Sequence, residues 1–176
     1  MHASETLWKF HTVHHSATSF TVITGDRIHP VEDVLAVPLV VFPLVLLGAT
    51  TAQAVIVVTM LRLIDMAQHS MLPFTYGWFG RWVVYSPTGH RIHHSPEVEH
   101  WNKNFGDFIP LWDRLFGTWY GGALLNQTVG TSSDTVAQRG VIASIFEPFD
   151  DAARHIRSRW GRSSSDRSTP PPSQHP

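Results

Sequence analysis

Between Asp33 and Arg62 the sequence runs for 28 residues, Val34 to Leu61, without one charged side chain. That exceeds the roughly 20 apolar residues a helix needs to cross a bilayer. Composition leaves three arrangements open: one long helix, two shorter ones, or a buried soluble core. A core helix of this length needs a polar stripe at helical spacing, and none is visible, which favours the membrane. Pro38 and Pro43 bend whatever precedes them, and Gly48-Ala49-Thr50-Thr51 offers a break. Each half then spans about 21 Å of helix, so residues 31–33 and 62–67 must extend it. The expectation is a hydrophobic hairpin over about residues 31–67, which crosses twice or enters and returns.

Histidine is the other extreme. The 176 residues include 12 His and no Cys, which excludes disulfides, zinc–thiolate and iron–sulfur clusters and a cysteine nucleophile. With 13 Lys and Arg against 14 Asp and Glu the net charge is −1, unlike the basic surface of a nucleic-acid binder. Residues 1–20 contain His, Lys and Glu and no apolar segment, so they do not read as a signal peptide.

Around the apolar run, residues from Ala3 to about Ala17 read as a helix opened by Ser4. Residues 68–89 form a polar–aromatic connector and 96–122 an aromatic, turn-rich stretch. A membrane domain over 1–122 is then followed by a polar loop and amphipathic helix over 123–161. The Ser- and Pro-rich residues 162–176 read as a disordered tail. Trp8, Trp78, Trp82, Trp101, Trp112 and Trp119 flank the apolar segment, as suits a membrane interface.

One motif occurs twice. H-x-x-H-H-S places His11, His14 and His15 on one side of the apolar run and His90, His93 and His94 on the other. On a helix, positions i, i+3 and i+4 fall within an arc of about 100°, so each triad projects from one face and can converge on metal. His69, directly after the apolar run, and His2, near the start, bring the total to eight imidazoles, enough for two metal ions. Zincins use H-E-x-x-H, and the spacing here differs with no Glu as base. Ferritin-like di-iron sites draw on carboxylates, which neither triad contains. What remains is an imidazole-rich dinuclear centre at a membrane surface.

The motifs carry a family likeness. WKFHTVHHS at 8–16, TGDRIHPVE at 24–32, HSMLP at 69–73, HRIHHS at 90–95, NKNFG at 102–106 and WDRLFGT at 112–118 occur in order. Over roughly residues 1–120 the chain resembles the fatty acid hydroxylase / sterol desaturase superfamily of integral-membrane, non-haem di-iron oxygenases. The resemblance implies an all-α membrane helical bundle with a cytoplasmic, histidine-rich di-metal cap. It also implies two Fe ions that activate O2, with electrons from a donor protein of ferredoxin, cytochrome or reductase type. The reaction it implies is hydroxylation or desaturation of an aliphatic C–H bond in a fatty acyl or sterol-like lipid. His11, His14, His15, His69, His90, His93 and His94 would be iron ligands. His2 takes the place of the second histidine in the family's H-x-x-x-H motif, whose first would precede Met1. The transmembrane helices ahead of that motif are missing too, so the chain reads as N-terminally truncated. The alternative is a truncated, non-catalytic paralogue that binds metal in the membrane.

Three further residues are candidates for fixing the imidazoles from behind: Asp65, four residues before His69, together with Asn104 and Asp113. His29 reads as structural, and His100, His155 and His175 receive no role. The two triads must share a membrane face to share metals. Arg154, Arg157, Arg159, Arg162 and Arg167 assign that face and the C-terminus to the cytoplasm under the positive-inside tendency.

Overall fold

The computed structural model describes residues 1–124, 126–131 and 134–160. The tail expected over 162–176, with Arg162 and Arg167, lies outside them. All regular structure among the described residues is helical, with no strand. The helices are α1 (Glu5–His15), α2 (Pro30–Leu46), α3 (Thr51–Gln68), α4 (Gly77–Trp82), α5 (Pro87–His93), α6 (Leu111–Phe116), α7 (Asp134–Ala137) and α8 (Val141–Trp160).

The apolar run forms two helices, α2 and α3, and the break falls where Gly48 takes a φ of +74°. This left-handed turn is open to glycine without the Cβ strain other residues meet. Both helices start with a reciprocal cap. His29 accepts from the Val31 N–H at 3.1 Å while Glu32 accepts from the His29 N–H, and Thr50 and Gln53 do the same for α3. Of the two, α3 is long and apolar enough to cross a membrane by length and composition. At 1.5 Å per residue the 17 residues of α2, with Pro38 and Pro43 inside it, reach about 25 Å and the 18 of α3 about 27 Å, both somewhat under the ~30 Å hydrocarbon core. Two full crossings therefore do not follow from helix length. Large apolar side chains on both helices are exposed, up to 77% for Leu39. Burying such a surface in lipid is favourable at about 25 cal/mol per Å².

The remaining elements enclose the histidines. Ser4 caps α1 by accepting from the Leu7 N–H, as its position before the helix predicts. At the other end Arg27 donates to the Val13 carbonyl and the Ser16 hydroxyl, both at 3.0 Å. A cation there suits the negative end of the helix dipole. Helix α8 packs along α1: Phe10 meets Phe149 edge-on at 5.1 Å, and His29 Nε2 donates to the Ile145 carbonyl at 2.9 Å. His29 is thus a cap and a strut, fully buried. On the far side, buried Arg91 of α5 donates to the Ser70 and Leu72 carbonyls, each at 2.9 Å. Gln68 donates to the Tyr85 carbonyl at 3.1 Å, so the end of α3 is fixed against α5.

Candidate metal centre

The two H-x-x-H-H motifs end α1 and α5 and face each other, and the structure divides each of them. His2, His11, His15 and His93 form one cluster, and His14, His69, His90 and His94 form a second. Within each cluster one nitrogen per residue lies within 4.8 Å of all the others. The spacing within a triad left open which rings share an ion, and the grouping divides each triad between the clusters. The i, i+4 pair, about 40° apart on the helix, stays together, while the i+3 residue, about 100° from i+4, crosses to the other cluster. His14 thereby joins His90 and His94, and His93 joins His11 and His15. The clusters adjoin, with the His15 and His94 rings stacked at 4.1 Å and 19°.

The sites fit metal ions on three grounds. First, Nε2 atoms meet at 3.2 Å (His15 with His2 and with His11), 3.2 Å (His69 with His14) and 3.0 Å (His90 with His69). Tetrahedral ligands at 2.0–2.1 Å from zinc-like ions sit about 3.3 Å apart, so these are the edges of a coordination shell. Second, four rings have Nδ1–H held by an oxygen. His11 donates to Glu32, His14 to the Arg27 carbonyl at 3.3 Å, His69 to the Asp65 carbonyl at 2.9 Å and His93 to the Lys103 carbonyl at 3.0 Å. That fixes the tautomer whose Nε2 lone pair faces inward. Third, both nitrogens of His94, a residue 1% exposed, have no hydrogen-bond partner among the described residues, a costly state without a ligand.

Electrostatics act the same way. Burial, reinforced by neighbouring imidazoles, holds His14, His15, His90 and His94 well below the ordinary histidine pKa. Burial also lowers His93 to about 4, against the opposing hydrogen bond to Lys103. These rings are neutral at pH 7, the form that ligates metal. Imidazole suits iron, zinc, copper and nickel alike.

The residues expected behind the ligands behave differently from one another. Asp65 Oδ1 lies 3.2 Å from His69 Nδ1. Asn104 and Asp113 touch no imidazole through any hydrogen bond among the described residues. Buried Asp113 instead accepts from the Phe105 and Gly106 N–H groups and from the Tyr85 and Thr118 hydroxyls. Asn104 ties the Gly89 carbonyl to the Tyr120 backbone. Both build the loop that presents the Lys103 carbonyl to His93, because a short side chain in a tight loop satisfies the nearest backbone donors first. Of the tryptophans, Trp78 (70% exposed), Trp82 and Trp112 face outward, whereas Trp8 is buried against His2 and His15.

Glu32 was missed. It sits three residues after His29 in H-P-V-E, where its capping role was readable, but not that its other oxygen grips His11 from 21 residues away. Glu32→Gln weakens that grip, and metal affinity of the His11 cluster falls about 10- to 100-fold while the other is unchanged. Stepwise chelator titration measures both constants. Gly25 was missed as well: a Cβ there would lie 2.2 Å from Asp65 Oδ2 and 3.0 Å from His69 Nδ1. Gly25→Ala displaces both groups and selectively weakens the His69 cluster in the same titration, the opposite pattern to Glu32→Gln.

A cavity of about 320 Å³ opens onto both clusters through His11 and His14. Its other walls include Val37, Val40 and Val41 of α2 and Val58 and Leu61 of α3.

Comparison with known proteins adds three findings. A family model described as fatty acid hydroxylase matches residues 1–118. The chain is 29% identical over 153 residues to ornithine lipid hydroxylase OlsE of Rhizobium tropici, covering 87% of this chain and 46% of that protein. It is 25% identical over 119 residues to alkylglycerol monooxygenase of Caenorhabditis elegans, covering 67% of this chain and 23% of that protein. It thus spans less than half the length of either relative. No solved structure matches it.

Proposed function

The chain belongs to the fatty acid hydroxylase family, and from that premise we propose that it is the metal-binding part of a membrane lipid hydroxylase. The observation that carries this reading is the cavity. Its α2 and α3 walls are largely apolar, Glu32, Asp33, Arg62, Asp65 and Asp107 also line it, and it reaches one histidine of each cluster, which suits an aliphatic chain with a polar end brought to a dinuclear centre. His2, His11, His15 and His93 would hold one iron and His14, His69, His90 and His94 the other. Two iron ions bound there supply O2 activation, with electrons from an external donor protein, for oxidation of an aliphatic C–H bond.

The chain's own residues contribute binding, orientation and dryness. The valines of α2 and Val58 and Leu61 of α3 exclude water from a substrate chain and hold it by apolar contact. Glu32, Arg27, Asp65 and Lys103 orient the rings. The second cluster is fully buried and the first partly open. The first is therefore the more open to exchange with solvent, while the cavity reaches both, through His11 and His14.

The sidedness proposed is cytoplasmic. Arg154, Arg157 and Arg159 lie on α8, which packs on α1, so the face that keeps these arginines keeps the histidines.

The test is expression in a host whose lipids lack hydroxyl groups, with mass spectrometry of the lipid extract. The expected result is a lipid heavier by one oxygen atom, dependent on O2. A metal-loaded protein that yields no oxidised lipid would favour a non-catalytic metal binder. Val40→Trp fills the slot. It should cut product at least about 10-fold through overpacking and leave the metal content unchanged, as read by product yield and elemental analysis on one preparation.

A further inference from the structure

A second, larger cavity of about 790 Å³ lies on the side of α5 away from the histidines, and no histidine lines it. It is walled by Arg81, Arg114, Trp78, Trp82 and Trp119 and backed by Tyr85. The arginines are held there by aromatic rings. The Arg114 guanidinium lies 3.7 Å from the Trp82 ring centre and 3.8 Å from that of Trp119, and Arg81 reaches the same Trp119 ring at 5.9 Å. Arg114 also donates twice to the Arg81 carbonyl, which fixes the two residues together.

No carboxylate lines this cavity, and neither arginine has an ion pair among the described residues. Asp113, next to Arg114 in the chain, is buried with its oxygens occupied by four donors. Both guanidinium groups lie against the Trp119 ring with no carboxylate beside them, so an anion placed there is attracted to both. Planar guanidinium groups match the oxygens of a phosphate or carboxylate.

The surroundings identify the source of that anion. Met71, Leu72, Phe74 and Phe79 are exposed on the segment leading from α3 into α4, and Leu115 and Phe116 on α6. The segment leading from the end of α3 to the cavity-lining Thr75 and Trp78, and the α6 residues next to Arg114, are thus exposed and apolar or aromatic, and α3 is the helix long and apolar enough to span a membrane. Trp and Arg together at such a border are suited to the level of lipid headgroups. We propose that this cavity binds the headgroup of a net-anionic phospholipid, anchoring the α4–α6 side of the protein at the membrane surface. The proposal does not depend on what the histidine clusters hold.

The test uses the full chain in non-ionic detergent and the fluorescence of its tryptophans, three of which line the cavity. Dihexanoyl phosphatidylglycerol, dihexanoyl phosphatidylcholine and inorganic phosphate are titrated separately. The anionic lipid is expected to saturate the signal at a concentration at least about tenfold below the zwitterionic one. Arg81→Gln, with unchanged circular dichroism, should abolish the difference, and Arg81→Lys should keep most of it. Equal affinity for the two lipids, or a preference that survives Arg81→Gln, overturns the proposal. Saturation by inorganic phosphate as tight as by the anionic lipid would show a free-anion site and overturn it too. A response to polyglutamate but not to the anionic lipid would assign the surface to an acidic protein instead.

Discussion

Alanine in place of His94 should lower bound metal from two ions per chain to one and reduce lipid oxidation by more than about 100-fold. That exceeds the 10- to 100-fold typical of losing a partner behind a ligand. His94 is 1% exposed, has no hydrogen-bond partner among the described residues at either nitrogen, and stacks on His15 of the neighbouring cluster. Its loss thus opens the buried cluster and frees the ring that supports the other. His15→Ala should give the complementary result, keeping the metal of the His69 cluster. The control is His100→Ala, which removes an equally buried imidazole outside both clusters and should leave two metals bound. Elemental analysis and product yield on the same preparations read all three variants.

The second large effect concerns Asp113. Its carboxylate accepts from two backbone N–H groups and two hydroxyls in a buried setting. Burial, with the adjoining carboxylate, raises the Tyr85 pKa, so the phenol remains a donor at all ordinary pH. Asp113→Ala leaves the Phe105 and Gly106 N–H groups and the Thr118 hydroxyl without an acceptor, and Tyr85 with Asn104 Oδ1 alone at 3.3 Å, and should cost about 3–5 kcal/mol of stability. Asp113→Asn keeps the shape and part of the acceptor capacity and should cost less than half of that. Thermal unfolding in detergent measures both. Because the same loop offers the Lys103 carbonyl to His93, Asp113→Ala should also weaken metal binding at the His11 cluster. Wild-type melting by the alanine variant would show that this knot is incidental to the fold.

Much of this architecture was legible beforehand, for identifiable reasons. The run without charge, broken at Gly48, announced two apolar helices, because glycine at a helix end is a local signal. Ser4 announced the start of α1 in the same way. Repetition of H-x-x-H-H announced that two helix ends carry convergent rings. The exchange of His14 and His93 between clusters was hidden, because it depends on how α1 and α5 approach each other. The carboxylate on His11 was hidden for the same reason: Glu32 reads as a helix cap from its neighbours and as a partner of His11 only once α1 and α2 meet. Asn104 and Asp113 were singled out by motif, but their route to the site runs through a loop backbone that spacing does not display.

The eight imidazoles form two adjoining four-histidine clusters, proposed above to hold one iron each. The direct measurement is elemental analysis of the wild-type chain purified under reducing, iron-replete conditions, paired with Mössbauer spectroscopy of the same sample. Two irons per chain are expected, all in nitrogen-rich surroundings and all lost on strong chelation. One iron or fewer per chain, or zinc alone in both sites, would contradict the proposal.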